Sequence, residues 1–320
     1  MNSSLSEDTI SNAFLFPGQG SQSLGMGKDL ASTFSIAKDT FDEADQILGF
    51  SLSRIAWEGP EEHLNDTINT QPALLVHSIA VLRVLEEIHP GIRPVYVAGH
   101  SMGQISALVG AGALPFPQAL QLARTRGELM KRAGENSPGG MAAILGLDIP
   151  IIEKICIEAS TPDEIVQVAN DNCPGQVVIS GADKALEQAM QQAQIAGARR
   201  VVRLAVSIAA HSPLMRHAQA DFNKAVDEAP LSDPKVPIVG NVSAQPLTTT
   251  WQIRTDLQAQ LNARVRWTES IEFMANQGVT VFLELGNESV LIGLLKRINR
   301  QVFGISIGKP QDFEHLSHYR

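Results

Sequence analysis

The stretch VAGHSMGQISALVGAGAL, residues 97–114, constrains the fold more than any other part of this chain. An apolar strand runs into GHSMG (residues 99–103), and a helix rich in small residues follows. A Gly-x-Ser-x-Gly sequence between a strand and a helix is typical of a nucleophile elbow, a tight turn that exposes a serine hydroxyl. Gly99 and Gly103 remove the side chains that would collide in such a turn. The pattern therefore predicts an α/β fold with Ser101 at the carboxyl edge of its sheet.

The position of Ser101 also favours stabilisation of negative charge. It lies at the beginning of the helix that starts at Met102, where free main-chain N–H groups and the helix dipole can stabilise an oxyanion. The other interpretation is a tight turn with an incidental serine, but the strand before it and the helix after it favour catalysis.

A second glycine-rich piece, FPGQGSQ at residues 16–22, also follows a predicted strand. It fits neither the Walker A pattern nor the full dinucleotide-binding pattern. Its N–H groups around Gln19 are suited to complete an anion or oxyanion site. A simple strand-to-helix turn is the other interpretation, and this fragment alone leaves both open.

Short apolar strands alternate with longer helical stretches along most of the chain, which favours a parallel sheet flanked by helices. One segment has the order β-α-β-β-α-β instead, the order of a ferredoxin-like unit. We therefore predict a hydrolase-like α/β core, residues 1–137 and 206–320, with an inserted ferredoxin-like small domain at residues 138–205. The predicted core elements are strands at 13–16, 95–98, 237–240 and 281–285 and helices at 71–88 and 115–133. The predicted elements of the insert are strands at 140–146, 165–170, 176–180 and 200–205, helices at 150–159 and 182–196, and a turn at 173–175.

Length and composition exclude several classes of protein. The chain has 320 residues, 44% of them hydrophobic and 18% charged, which is enough for a large packed core. Its net charge of −9 argues against nucleic acid as the main partner. Cys156 and Cys173 fit no metal motif, so we expect a reduced, cytoplasmic protein. We expect no signal peptide and no membrane span, since the first ten residues are polar and no run of about 18 apolar residues occurs.

A serine nucleophile needs a base, and histidine is the usual one. His211, in SIAAHSPLM, follows a predicted strand that extends to Ser207, where the chain re-enters the larger domain. It is therefore well placed to face a cleft between the domains, with His217 as the competing candidate. We expect His77 to be buried within a helix and His100 to point away from the adjacent serine.

Seven segments occur in the order found in malonyl-CoA:acyl carrier protein transacylases, between about residues 13 and 300. The chain resembles this family, to which polyketide synthase acyltransferase domains are related. The segments are FPGQGSQSLGMG, QPALLVHSIAVL, GHSMGQISAL, ARTRGELM, NDNCPGQVVISG, SIAAHSPLM and QLNARVRWTESIEFM.

The resemblance implies a role for each matching position. Ser101 would be the acylated nucleophile, and His211 its general base and then its acid. The main-chain carbonyl of Gln260, rather than a carboxylate, would orient this histidine. The main-chain N–H groups of Gln19 and Met102 would form the oxyanion hole.

Arg126, in TRGELM, would bind the free carboxylate of the substrate on the same resemblance. The chemistry agrees, because a planar guanidinium binds a carboxylate through two parallel hydrogen bonds that lysine cannot form. The other interpretation of Arg126 is a solvated helix arginine, like Arg124 or Arg132.

The function implied is transfer of a malonyl group from malonyl-CoA to the phosphopantetheine thiol of acyl carrier protein, by a ping-pong mechanism. The coenzyme A thioester is a substrate, and we expect no metal or redox cofactor, no nucleic acid or membrane partner, and a monomer. Fatty-acid and polyketide synthesis both use free-standing enzymes of this kind. Two alternatives are a serine hydrolase that removes acyl groups from their carrier, and a non-catalytic subunit that binds acyl-CoA or carrier protein. Arg126 favours transfer, because a proofreading hydrolase removes uncharged acyl groups.

Two residues depart from the family pattern. Gln104 follows the elbow where the family usually has glutamate, and we expect activity to be retained. Ala210 precedes His211 where malonyl-selective relatives often carry phenylalanine. The smaller side chain leaves room beside the acyl α-carbon and predicts tolerance of methylmalonyl-CoA.

An acidic carrier protein needs a local positive patch on this acidic chain. Ordinary solvated surface is the other interpretation of each basic cluster. The candidate clusters are Arg199, Arg200 and Arg203, and Lys296, Arg297 and Arg300.

Overall fold

The computed structural model describes residues 11–206 and 208–318. Helices surround two β-sheets in this part of the chain, which confirms the predicted α/β class. The strands are β1 (Asn12–Phe16), β2 (Pro94–Gly99), β3 (Gly139–Leu145), β4 (Val166–Cys173), β5 (Gln176–Ala182), β6 (Arg200–Arg203), β7 (Ile238–Val239), β8 (Pro246–Leu247), β9 (Val265–Arg266), β10 (Val281–Leu285) and β11 (Phe303–Ile307). The α-helices are α1 (Lys28–Thr33), α2 (Ser35–Leu48), α3 (Leu52–Glu58), α4 (Glu61–Asn65), α5 (Thr67–Ile88), α6 (Gly103–Gly110), α7 (Phe116–Asn136), α8 (Ile149–Ala159), α9 (Asp183–Ile195), α10 (Arg216–Glu228), α11 (Thr250–Gln260), α12 (Trp267–Asn276), α13 (Val290–Ile298) and α14 (Pro310–Glu314). Short 3₁₀ helices cover Pro213–Met215 and His315–His318.

The larger sheet is mainly parallel. Its strand order is β11-β10-β1-β2-β7-β8, with parallel pairing from β11 to β7 and antiparallel pairing between β7 and β8. The carboxyl ends of β1 and β2 are in register, with Phe16 opposite Gly99. Consequently the two glycine-rich segments, residues 17–22 and 99–103, leave the sheet side by side.

Both faces of the larger sheet are covered. In β1, Phe14 and Phe16 join the apolar cluster on one face, whereas Ala13 and Leu15 join the cluster on the other. This alternation follows from the two-residue repeat of a strand. Burial on both faces explains why the strand reads as a continuous apolar run in the sequence.

Helix α5 forms the centre of the larger core. By length and composition it is apolar enough to cross a membrane. However, 83% of its apolar window is buried inside the protein, and the helix packs against α2 and α7. These are the features of a core helix.

Residues 139–203 contribute four strands to the smaller sheet. These strands lie in the order β6-β3-β5-β4 with antiparallel neighbours, and α8 and α9 cover them over a separate apolar cluster. A fifth strand, β9, comes from outside this segment and pairs in parallel with Asn170 and Asp171 of β4. The sequence did not predict β9, because a strand of two residues has no periodicity of its own.

The predicted elements are present with shifted ends. Cys173 pairs with Gln176 as the last residue of β4, so the hairpin turn begins one residue later than predicted. The strand before His211 ends at Arg203, earlier than predicted, and Ser207 lies outside the described residues.

Candidate active site

The turn at residues 99–103 has the geometry of the predicted nucleophile elbow. Ser101 has a φ of 52°, a strained value for a residue with a side chain. A Cβ added at Gly99 would lie 1.9 Å from the carbonyl oxygen of Gly103, and one added at Gly103 would lie 2.1 Å from that of Phe16. The main-chain N–H of Ser101 donates to Asn241 Oδ1 at 2.7 Å, which fixes the strained residue in place.

His211 lies against the serine. Its Nε2 is 2.8 Å from Ser101 Oγ, and its Nδ1 is 2.8 Å from the main-chain carbonyl oxygen of Gln260. Since a carbonyl only accepts, Nδ1 carries the proton, and the lone pair of Nε2 faces the hydroxyl. The structure therefore brings together Ser101, His211 and the Gln260 carbonyl in an arrangement suited to proton removal.

Arg126 is buried beside the same hydroxyl, with 2% of its surface exposed. One terminal nitrogen donates to Gln71 Oε1 at 2.9 Å. The other donates to Ser101 Oγ at 3.1 Å and to Gln260 Oε1 at 2.9 Å. Its buried Nε has no hydrogen-bond partner in the described part of the chain. Burial lowers the pKa of Arg126 to about 10. This value is still well above neutral pH, and the guanidinium therefore stays positive there.

The solvated interpretation of Arg126 is wrong. Its neighbours differ from it, because the exposed Arg132 forms an ion pair with Asp221 and the half-buried Arg124 forms one with Glu128. Within residues 11–206 and 208–318, Arg126 has no carboxylate within 4.0 Å. Its positive charge is thus available to an anionic ligand.

A cavity of about 530 Å³ opens over these groups, between the two sheets. It is lined by Ser101, His211 and Arg126 together with the loop at residues 17–22. The smaller sheet and the adjoining segment supply the opposite wall. That wall includes Met141, Ala143, Asn170, Asn172, Gln176, Val178, Leu204, Val206, Ile208 and Ala210.

Comparison with known proteins identifies the family. The acyl transferase domain family matches residues 13–309. A malonyl CoA-acyl carrier protein transacylase of Bacillus subtilis (strain 168) is 45% identical over 302 residues, covering 94% of this chain and 95% of the relative. The chain belongs to the malonyl CoA-acyl carrier protein transacylase family. It is therefore an acyltransferase.

Other relatives agree along nearly the whole chain. The transacylase of Escherichia coli (strain K12) is 42% identical over 298 residues, which are 93% of this chain and 96% of the relative. The solved transacylase of Coxiella burnetii has a TM-score of 0.93 at 39% identity and covers 96% of each chain. A malonyl-transacylase solved in complex with its type II polyketide synthase acyl carrier protein has a TM-score of 0.93 at 41% identity. That match covers 97% of this chain and 100% of the other.

In this enzyme, the environment keeps His211 in its basic form. Burial, and secondly the positive charge of Arg126, lower the pKa of His211 to about 3. The imidazole is therefore neutral at physiological pH. A neutral imidazole with Nε2 directed at Ser101 Oγ is the form that accepts a proton.

Of the two residues predicted for an oxyanion hole, Met102 follows the serine in the chain and Gln19 lines the same cavity as the serine. The loop at residues 17–22 packs on the elbow, since His100 N donates to Phe16 O at 3.0 Å and a Cβ on Gly18 would lie 2.4 Å from His100 O. Among the described residues, the main-chain N–H groups of Gln19 and Met102 donate to no other part of the chain. These two N–H groups are consequently free to bind a ligand oxygen.

The other candidate histidines have different surroundings. His77 is buried within α5, as expected, with its Nε2 3.1 Å from Gly308 O. His100 points away from the nucleophile, and its Nε2 lies 2.8 Å from Asn172 Oδ1. His217 is exposed on α10 and does not line the cavity that holds Ser101.

Sequence reasoning missed Asn241 and Gln71. Asn241 bridges the elbow, because its Oδ1 accepts from Ser101 N and its Nδ2 donates to Gly99 O at 2.7 Å. It follows the predicted strand at residues 237–240, so the rule that sites lie at the carboxyl ends of parallel strands could have found it. Gln71 lies inside α5 and begins the segment QPALLVHSIAVL, but nothing in that segment marks it as a contact of Arg126.

In the part of the chain that the structure describes, no group of three or more His, Cys, Asp or Glu residues is placed to hold a metal ion. Both cysteines, Cys156 and Cys173, are free and buried.

Proposed function

We propose that this enzyme transfers a malonyl group from malonyl-CoA to the phosphopantetheine thiol of acyl carrier protein through a malonyl ester of Ser101. The observation that carries the proposal is the buried guanidinium of Arg126, 3.1 Å from the Ser101 hydroxyl. A thioester carbonyl at Ser101 would place the free carboxylate of a malonyl group beside this cation. The family membership supports the same reaction.

In the first half-reaction, His211 Nε2 takes the proton of Ser101 Oγ as that oxygen attacks the thioester carbonyl. The N–H groups of Gln19 and Met102 would stabilise the tetrahedral oxyanion. Collapse of this intermediate breaks the carbon–sulfur bond, and the imidazolium of His211 gives its proton to the coenzyme A thiolate. The malonyl group then remains on Ser101.

In the second half-reaction, the phosphopantetheine thiol gives its proton to His211 and attacks the malonyl ester. Ser101 leaves and takes back a proton from the imidazolium. The Gln260 carbonyl orients the histidine throughout, because its bond to Nδ1–H is kept in both protonation states. The coenzyme A thioester is a substrate in this scheme, which calls for no metal or redox cofactor.

Arg126 would select the acyl group. A guanidinium binds a carboxylate through charge-assisted hydrogen bonds, which a neutral acyl group such as acetyl cannot form. Ala210 lines the same cavity, and its small side chain supports the proposal that a methyl branch on the α-carbon is tolerated.

Radiolabelled malonyl-CoA tests transfer against the hydrolase and binding-subunit alternatives. We expect label to accumulate on acyl carrier protein that carries phosphopantetheine, at a rate well above the release of free malonate. Release of malonate regardless of carrier protein would indicate a hydrolase, and binding without either product would indicate a non-catalytic subunit. The Ser101→Ala variant controls for turnover that does not use the nucleophile.

We infer that the chain consists of a hydrolase-like core, residues 1–137 and 206–320, and a ferredoxin-like insert, residues 138–205. The parallel sheet with its elbow supports the first assignment. The order β6-β3-β5-β4, with α8 and α9 on the sheet, supports the second.

The basic residues on and after α13 are our preferred docking site for the carrier protein. Helix α13 lines the cavity with Leu291 and Leu294, and Arg297 donates to Gln176 Oε1, another residue of the cavity wall. In the other cluster, Arg203 is already paired with Asp183. We also propose that the protein is a monomer and lies in the cytoplasm, and the free state of both cysteines supports the second assignment. The preferred docking residues are Lys296, Arg297 and Arg300.

A further inference from the structure

We propose that Gln104 and Asp256 act as positioning residues, which orient Gln260 and supply a remote negative charge for Arg126. The inference rests on the proposed function of Arg126 as the receptor for the malonyl carboxylate. Neither Gln104 nor Asp256 lines the cavity, and neither has a hydrogen bond to the Ser101 hydroxyl or the His211 ring.

Asp256 is a carboxylate held inside the protein, with 4% of its surface exposed. Its oxygens accept from the main-chain N–H groups of Asn241 at 2.9 Å, Val242 at 3.2 Å and Ser243 at 3.0 Å. The close approach requires glycine at position 240, because a Cβ there would lie 2.5 Å from Asp256 Oδ1. Asp256 therefore accepts hydrogen bonds through both oxygens.

A chain of amides leads from Asp256 to Arg126. Gln104 Nε2 donates to Asp256 Oδ2 at 2.9 Å, and Gln260 Nε2 donates to Gln104 Oε1 at 2.5 Å. Arg126 in turn donates to Gln260 Oε1 at 2.9 Å. Because a carboxylate here only accepts and a guanidinium only donates, the two ends fix the orientation of both amides.

The polarity of this chain stabilises a buried positive charge without neutralising it locally. Each amide oxygen faces towards Arg126, and each amide N–H faces towards Asp256. A direct ion pair would compete with a substrate carboxylate for the guanidinium, whereas an acid two amides away does not. Hydrogen bonds in such a chain polarise and strengthen one another.

Gln260 connects these oriented amides to the reacting groups. Its Nε2 also donates to Ser101 O at 3.1 Å, and its main-chain carbonyl accepts from His211 Nδ1. A flipped Gln260 amide would direct N–H groups at Arg126 and an oxygen at the Ser101 carbonyl. Gln104 Oε1 opposes this flip by accepting from Nε2, together with Asn241 Oδ1, which accepts from the same nitrogen at 3.2 Å.

The Gln104→Glu variant tests the inference by its pH profile. It places a second carboxylate against Asp256, so that one of the two must hold a proton. With that proton, the introduced carboxyl group donates to Asp256 and still accepts from Gln260, and activity is kept. Once this proton is lost at higher pH, the two carboxylates repel each other, and the chain of hydrogen bonds from Asp256 to Arg126 is broken. Relative to the wild-type enzyme at each pH, we expect kcat/KM for malonyl-CoA within about threefold near pH 6 and lower by about tenfold or more near pH 9.

The double variant Gln104→Glu with Asp256→Asn is the matched control. It keeps one acid in the pair and removes the repulsion. Its kcat/KM for malonyl-CoA, relative to the wild type, should therefore no longer depend on pH. Gln104→Met keeps the shape of the side chain but breaks the chain at every pH. We expect it to lower kcat/KM for malonyl-CoA by at least about fivefold more than that for acetyl-CoA, because only the malonyl group uses the charge of Arg126.

The outcomes separate this inference from the proposed function. Suppose that the wild type transfers malonyl and that kcat/KM of Gln104→Glu, relative to the wild type, does not change with pH. The positioning role is then wrong, while the proposed function stands. If Gln104→Met lowers kcat/KM equally for malonyl-CoA and acetyl-CoA at unchanged thermal stability, the link to Arg126 is likewise wrong. Failure of the wild type to transfer malonyl would overturn the proposed function itself. Should Gln104→Glu not fold, the selectivity of Gln104→Met decides the matter alone.

Discussion

At the scale of single residues, reactivity at Ser101 depends on the charge states of two neighbouring side chains. A neutral His211 accepts the proton, and a positive Arg126 lies at hydrogen-bonding distance from the same oxygen. The positive charge also favours the neutral form of the histidine. Substrate selection and base strength are therefore coupled through one side chain.

Replacing Arg126 should change selectivity more than catalysis. In Arg126→Ala, we expect kcat/KM for malonyl-CoA to fall by about 100-fold or more, since charge-assisted hydrogen bonds are lost. The rate with acetyl-CoA should change far less, because acetyl has no carboxylate. Steady-state kinetics with both thioesters measure the ratio, and Arg124→Ala on the same helix is the control. An equal loss for both substrates would contradict the assigned role.

Ala210 should determine how large an α-substituent the cavity accepts. We expect turnover of methylmalonyl-CoA at a rate comparable to that of malonyl-CoA. In Ala210→Phe, added bulk in the cavity wall should exclude the methyl branch and spare malonyl-CoA. Competition between the two thioesters in one reaction measures the preference. Strong rejection of methylmalonyl-CoA by the wild type would end this hypothesis.

At the scale of elements, the site is assembled where strands end. β1 and β2 bring the loop at residues 17–22 and the elbow together, and the end of β7 delivers Asn241 to the elbow. At Gly103, the main chain of the elbow lies directly against the main chain of β1, and this close approach sets the geometry without any side chain. The carboxyl edge of the larger sheet is thus the part of the fold least tolerant of added atoms.

Gly103→Ala should disrupt both the elbow and the packing of β1. The new Cβ would lie 2.1 Å from Phe16 O, so the two segments must separate. We expect a loss of about 2–4 kcal/mol in the free energy of unfolding, together with loss of transfer. Gly293→Ala is the control, since nothing lies within 4 Å of a Cβ there. Urea denaturation measures both, and equal stability of the two variants would refute this expectation.

In the described residues, the sequence predicted eight of the eleven strands and the helices α5 to α9, because these elements carry local signals. Helical periodicity and glycine turns located α5, α7 and the strands before residues 17 and 99. β9 escaped prediction because it depends on the free edge of β4, a contact between distant segments. Likewise, local sequence does not distinguish Arg126 from Arg124, since burial by α5 and α11 makes the difference.

At the scale of the whole molecule, buried ionisable groups link folding to pH. Burial lowers the pKa of His77 to about 4, and burial with Arg126 lowers that of His211 to about 3. Unfolded histidines titrate near 6.5, so below that pH the unfolded chain binds protons that the folded chain does not. Glu284 acts in the opposite direction. Burial raises its pKa to about 7, so the folded chain binds this proton at a higher pH than the unfolded chain does.

Burial also lowers the pKa of His100 and raises that of Asp171, so three histidines oppose two carboxyl groups and acid should destabilise the fold. Between about pH 6.5 and 4.5 we expect the free energy of unfolding to decrease by about 1.4 kcal/mol per pH unit for each net proton. Urea denaturation at several pH values measures this slope. His77→Gln should make the slope shallower by about one proton, whatever its effect on stability at neutral pH. A stability that rises steadily as the pH falls through this window would contradict the assignment.

The most direct test of the malonyl-serine mechanism is the intact mass of the enzyme after brief exposure to malonyl-CoA, followed by peptide mapping. We predict one malonyl adduct on the peptide that contains Ser101, discharged when acyl carrier protein bearing phosphopantetheine is added. The adduct should be absent in Ser101→Ala. An adduct on another residue, or a Ser101 adduct that carrier protein fails to remove, would contradict the mechanism.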